Sequence, residues 1–157
     1  MTPATEFRPA GPRFQLLFGA TAADEPEPSA PDAGRLFIPT PAVAGDIFGC
    51  GVIYALHARA CIERGRFWQA EHYVDAVRDH ALSLACLSRG LPAAQARGYD
   101  DLSPETLTAF DRTHVGSLEP DVLRRALGAS VLALLSEGGE ADLPHVDLVA
   151  ERLVEPH

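Results

Sequence analysis

The sequence predicts a mainly α-helical fold, an antiparallel bundle of four to five helices behind an extended N-terminal arm carrying one or two short strands. Three observations carry that expectation. Eight of the 13 prolines fall within residues 1–41, a spacing that no helix survives. Beyond residue 41 apolar residues recur with helical period. The periodic stretches are punctuated by glycine at their ends or by a Ser-Pro step at their start, the residues that stop and start helices.

In chain order, the arm comprises residues 1–41 and the helical bundle domain residues 42–157. Within the arm Phe14 to Phe18, closed by Gly19, and Arg35 to Ile38, closed by Pro39, read as short strands. Residues 22–32 between them are acidic, proline-rich and without a core residue, which predicts a loop. A first helix carries Ile47, Phe48, Val52, Ile53, Tyr54, Leu56 and Ala60 and ends at Gly65, suited to the left-handed position after a helix. A second runs from about Phe67 to Ser88 and stops at Gly90-Leu91-Pro92; the short turn makes the two antiparallel neighbours. Ser103 before Pro104 starts a third, to about His114. The fourth spans about Glu119 to Ser136, with Leu123, Leu127, Val131, Leu134 and Leu135 on one side, and is expected to end at Gly138-Gly139. A short last helix starts near Asp142 and Pro144.

The 157 residues allow one domain and an appendage, and 46% hydrophobic residues suffice for an ordinary core. A net charge of −9 argues against DNA and other phosphate backbones, and against anionic lipid, as partners. No apolar run reaches the roughly 18 residues that would span a bilayer, and Met1 to Pro12 lacks the organisation of a secretory signal, so a cytoplasmic location is expected. Cys50, Cys61 and Cys86 form no C-x-x-C pair and sit in apolar stretches, which predicts buried, reduced thiols. The six histidines show no metal-binding spacing, and no phosphate-binding loop is present, so no metal or cofactor is expected.

On a helical wheel Phe67, Ala70, Val74, Val77, Ala81, Leu84 and Ala85 form the apolar arc of the second helix, and Glu71 and Arg78 fall inside it. A buried charge needs a partner, so this carboxylate and guanidinium belong either to an interhelical ion-pair network with Arg59 or Arg64, or to the wall of a ligand pocket. Trp68, Tyr73 and Tyr54 read as packing residues with one wet edge. Arg66 and His72 are spaced as in the ribonuclease motif of HEPN-type toxins, which makes an RNase a third reading.

The stretch from Leu56 to His80, with Arg64-Gly65-Arg66, Gln69-Ala70-Glu71 and Arg78-Asp79 as its most specific steps, resembles the helical C-terminal domain of bacterial nucleotidyltransferases of the DNA polymerase β superfamily, the group that includes the aminoglycoside- and lincosamide-modifying enzymes. The likeness continues through Arg89 to Pro92 and Arg97 to Asp100, and upstream Gly11 to Gly19 resembles the last strand of the catalytic half. That half carries a Gly-Ser step and an Asp-x-Asp pair that holds Mg²⁺. This chain has no Asp-x-Asp, and its one Gly-Ser, Gly116-Ser117, lies in a helix junction. The resemblance implies a domain that covers the acceptor substrate, with Glu71 as the position of a carboxylate base and His57, Arg64, Trp68 and Arg78 as substrate-binding candidates. The expected function is binding of a small polar substrate or a partner nucleotidyltransferase domain, with no nucleotidyl transfer by this chain alone. The alternative is a stand-alone small-molecule enzyme with Glu71 as general acid/base assisted by Arg78 or His57. A homodimer through the N-terminal arm would satisfy the backbone groups of an unpaired Phe14 to Phe18 strand.

Overall fold

The computed structural model describes residues 41–154, and the strands, loop and homodimer expected of the arm fall outside the described residues. Five helices follow in order: α1 (Pro41–Glu63), α2 (Phe67–Ser88), α3 (Pro104–Phe110), α4 (Pro120–Glu140) and α5 (Val146–Val154). Short 3-10 turns at Ala94–Ala96 and Tyr99–Asp101 lead into α3, and a third, Asp111–Thr113, follows it, so the third helix is shorter than its sequence suggests. None of these helices is long and apolar enough to cross a membrane.

Three helices end on the same hydrogen-bond motif. After α1, Gly65 takes φ +68° while its N–H donates to Ile62 O (3.1 Å) and that of Arg66 donates to Cys61 O (2.9 Å). After α2, Gly90 (φ +69°) and Leu91 repeat this on Leu87 O and Cys86 O. After α4 the left-handed residue is Asp142 (φ 52°), with its N–H on Gly139 O and that of Leu143 on Gly138 O. The double bond satisfies carbonyls that a helix end otherwise leaves orphaned. At the start of α3, Ser103 Oγ accepts from Thr106 N and Pro104 occupies the first turn, as expected.

The fourth helix corrects its expected end, because it runs through Gly138 and Gly139. Gly138 serves packing instead of termination: a Cβ there would lie 2.6 Å from the Phe48 ring of α1. Gly51 of α1 does the same in reverse, its hypothetical Cβ falling 2.8 Å from both δ-carbons of Leu134. These contacts make α1 and α4 antiparallel and very close at this end.

The helices are not antiparallel throughout. Ala70 shares an apolar cluster with Leu123, and Arg89 reaches Glu137, so α2 and α4 run the same way. The long Arg89 to Glu119 connection, which contains α3, returns the chain to the end where α2 began. The core is three apolar clusters, centred on Phe48, Val77, Leu84, Phe110 and Leu134, on Cys61, Ile62, Ala70 and Leu123, and on Ala58, Val74 and Ala126. The arc read from the α2 sequence is the buried one: Ala70, Val74, Val77, Ala81, Leu84 and Ala85 are all inside. Cys61 and Cys86 are buried thiols, and burial pushes that of Cys86 up; Cys50, also expected inside, is exposed on α1.

An ionic clamp ties the C-terminal ends of α2 and α4. Arg89 Nη1 donates to Glu137 Oε2 (2.9 Å), Ala85 O and Ser88 Oγ, and Nη2 donates to Glu140 Oε2 (2.9 Å). The Glu137 side chain is only 8% exposed. Burial pushes its carboxyl up from the ordinary glutamate value, and the opposing pull of Arg89 does not cancel this. Folded Glu137 therefore holds its proton more tightly than the unfolded chain does. Its contribution to stability is complete below the ordinary glutamate pKa of about 4.3 and is lost as the pH rises through the raised folded value.

Two outcomes follow. In urea unfolding between pH 4 and pH 7, Glu137→Gln gains stability relative to the wild type as the pH rises, and a relative loss would contradict the assignment. Arg89→Met strands a buried carboxylate at pH 7 and costs toward the lower end of the roughly 3–5 kcal/mol typical of a broken buried pair, since Arg89 keeps some solvent contact. For the helix contact, Gly138→Val destabilises by about 1–3 kcal/mol through overpacking. By contrast Gly139→Ala, with open space around it, is neutral or stabilising by up to about 1 kcal/mol in thermal denaturation.

Candidate functional site

The left-handed turn at Gly65 starts α2 directly after α1 and so decides where the candidate side chains point. Trp68 and Glu71, one turn apart, lie on one side of α2. Trp68 is 77% exposed, the most open of the large apolar side chains among the described residues, which corrects its reading as a packing residue. Glu71 is half-buried and makes no hydrogen bond or ion pair with any described residue. Arg64, the last residue before the turn, is exposed.

Arg78 lies two turns beyond Glu71 on the same side, about 10.5 Å further along the axis. It does not pair with Glu71. Its Nη1 donates to Asp75 (2.8 Å) and its Nη2 reaches Asp79 (3.3 Å), leaving a side chain 16% exposed between two acids of its own helix. The interhelical network expected to involve this arginine is the Arg89–Glu137–Glu140 clamp instead.

His57, on α1, meets the opposite edge of α2. It stacks on Tyr73 (5.1 Å between ring centroids, 23° between planes), and Tyr73 is set about 160° around the helix from Glu71. The same tyrosine stacks on Tyr54 (5.9 Å), while His80 meets Tyr54 edge-on at 5.1 Å. This aromatic seam between α1 and α2 was missed as a unit. Its signal was available, since His57 and Tyr73 stand at equal distances from Gly65 along the chain. The seam separates His57 from Glu71, so the structure does not join them as an acid/base pair. His72 tilts against Tyr73 (5.3 Å) and shares no hydrogen bond with Arg66, which sits in the turn ahead of α2.

The Arg97 to Asp100 segment is pinned to α2. Tyr99 Oη donates to Asp79 O (2.8 Å) and lies 3.0 Å from Ser83 Oγ; burial pushes its phenol up. Among the described residues no group of three or more His, Cys, Asp or Glu side chains could hold a metal ion.

Two clefts flank α4. One, of about 390 Å³, opens between α1 and α4 over Ala55, Leu127 and Val131, with Arg59 and Arg124 in its lining. The other, of about 710 Å³, adjoins it across Gly128 and Leu132 and is lined by Arg112, His114 and Arg125. None of Glu71, Arg78, His57, Arg64 and Trp68 lines either cleft. Among the described residues Glu71 and Arg78 stand on a flank of α2 that neither of these two clefts reaches. Comparison with known protein families, curated proteins and solved structures finds no match to this chain.

Because no described residue pairs with Glu71, Glu71→Gln leaves stability within about 0.5 kcal/mol of the wild type. A large loss in differential scanning calorimetry would make it a structural residue. Arg78→Met costs about 1 kcal/mol or less, as both its acids are solvated enough to stand alone.

Proposed function

We propose that this chain is a nucleotidyltransferase-like helical domain that works by binding, either to a partner domain carrying the metal-holding carboxylates or to a small polar substrate held between the two. The observation that supports this reading best is the pairing, one turn apart on α2, of a 77% exposed indole with an uncommitted carboxylate. An exposed tryptophan is a frequent anchor of protein interfaces. A half-buried carboxylate that no described residue engages suits a surface completed by something else. The resemblance over Leu56 to His80 supplies the class of partner, and the missing Asp-x-Asp supplies the reason a partner is needed.

The stand-alone enzyme reading is less well supported. Its proposed helpers are occupied or distant: Arg78 by Asp75 and Asp79, His57 by Tyr73 across the helix.

Trp68 is the one tryptophan in the sequence, so its emission reports directly on this surface. Titration with a nucleotidyltransferase catalytic domain bearing the Gly-Ser and Asp-x-Asp steps is expected to shift that emission to the blue saturably, and Glu71→Gln to weaken the effect. Mg-ATP alone is expected to give no saturable heat in calorimetry. Micromolar Mg-ATP affinity, or nucleotidyl transfer by the isolated chain, would overturn the proposal.

A further inference from the structure

The α1–α4 cleft is apart from the residues discussed above and has its own chemistry. Its floor is apolar, formed by Ala55, Ile62, Leu127 and Val131, and Leu132 stands at its mouth 61% exposed. Gly128 leaves open space where a side chain would otherwise project. Arg59 and Arg124 enter the lining from the two helices.

Arg59 is half-buried and makes no hydrogen bond or ion pair with any described residue. Glu63, one turn later on α1, also lines the cleft, yet the two do not pair. An arginine placed before a glutamate at this spacing is the less favourable order in a helix. Among the described residues Arg124 is held only by Asp121 at 2.9 Å, with both side chains mostly in water (58% and 90% exposed), a pair that exchanges readily for a better acceptor. The cleft thus presents two available guanidiniums against one carboxylate in a protein of net charge −9. A half-buried guanidinium beside apolar walls favours an anion whose own body is apolar. At about 390 Å³ the space falls within the range of small-molecule sites.

We infer that the α1–α4 cleft binds a small amphipathic carboxylate, such as a medium-chain fatty acid, with its head on Arg59 and Arg124 and its chain over Val131 and Leu132. The inference stands apart from the nucleotidyltransferase-like reading. Charge complementarity selects this occupant over a neutral apolar one, and the cleft's restricted volume selects a small molecule.

The test is calorimetric titration of the full chain with decanoate below its micelle concentration, with decan-1-ol and decyltrimethylammonium as head-group controls. Expected is one saturable site for decanoate and much weaker binding of both controls. Arg59→Gln should weaken decanoate by about tenfold or more, the loss of a charge-assisted contact. Gly128→Leu should fill the cleft and abolish binding while the melting temperature holds or rises, because nothing lies within 4 Å of the new Cβ. Decanol binding as tightly as decanoate, Arg59→Gln binding within about twofold of wild type, or a self-associated dimer that Gly128→Leu dissolves would each overturn the inference.

Discussion

The close approach of α1 to α4 is the constraint on which the other features depend. At Gly51 and Gly138 the absent side chains are replaced by Leu134 and Phe48 of the facing helix, so each helix supplies the space the other fills. With the two backbones drawn together there, α4 continues through its glycines, and Glu137 just before them and Glu140 just after them both reach Arg89 at the end of α2. Toward the other end the residues facing one another are Arg59, Ile62 and Arg124, and a cleft remains where the glycine contacts are missing. The clamp and the cleft are opposite consequences of one packing choice.

The sequence made the helices legible where local chemistry decides them. Gly65 and Gly90 could be read because left-handed backbone is inexpensive only for glycine, and Ser103-Pro104 because an N-cap and a first-turn proline act within a few residues. It was not legible that Gly138 and Gly139 would be helical, since the reason lies in the Phe48 ring of another helix. Asp142, without the glycine signature, takes the left-handed position instead. The wheel for α2 identified the buried arc correctly but could not name neighbours. It put Glu71 and Arg78 inside that arc, whereas both are only half-buried. It could not show that Asp75 and Asp79 would capture Arg78.

All 13 basic residues are arginines, a choice that matters at Arg59 and Arg78, which are half-buried, and at Arg89, whose side chain is 30% exposed. Arg89 binds four oxygen acceptors from one planar head, which an ammonium group could not reach in the same geometry. Arg78 lies along α2 with its stem largely covered and its head between two acids. Guanidinium is less strongly hydrated than ammonium, so each of these placements carries a smaller desolvation penalty. The acidic surface of the protein thus coexists with positive charge set into the seams between helices.

The three thiols divide the molecule in a way that can be read chemically. Cys50 is exposed, whereas Cys61 belongs to the apolar cluster with Ala70 and Leu123, and Cys86 to the separate one around Phe48 and Leu134. In the folded state an alkylating reagent therefore meets one sulfur, and the other two react only when their own end of the bundle opens. If Cys61 and Cys86 become modified at a single common rate, the two clusters open as one cooperative unit. Separate rates would mean that one end breathes while the glycine-packed end stays shut.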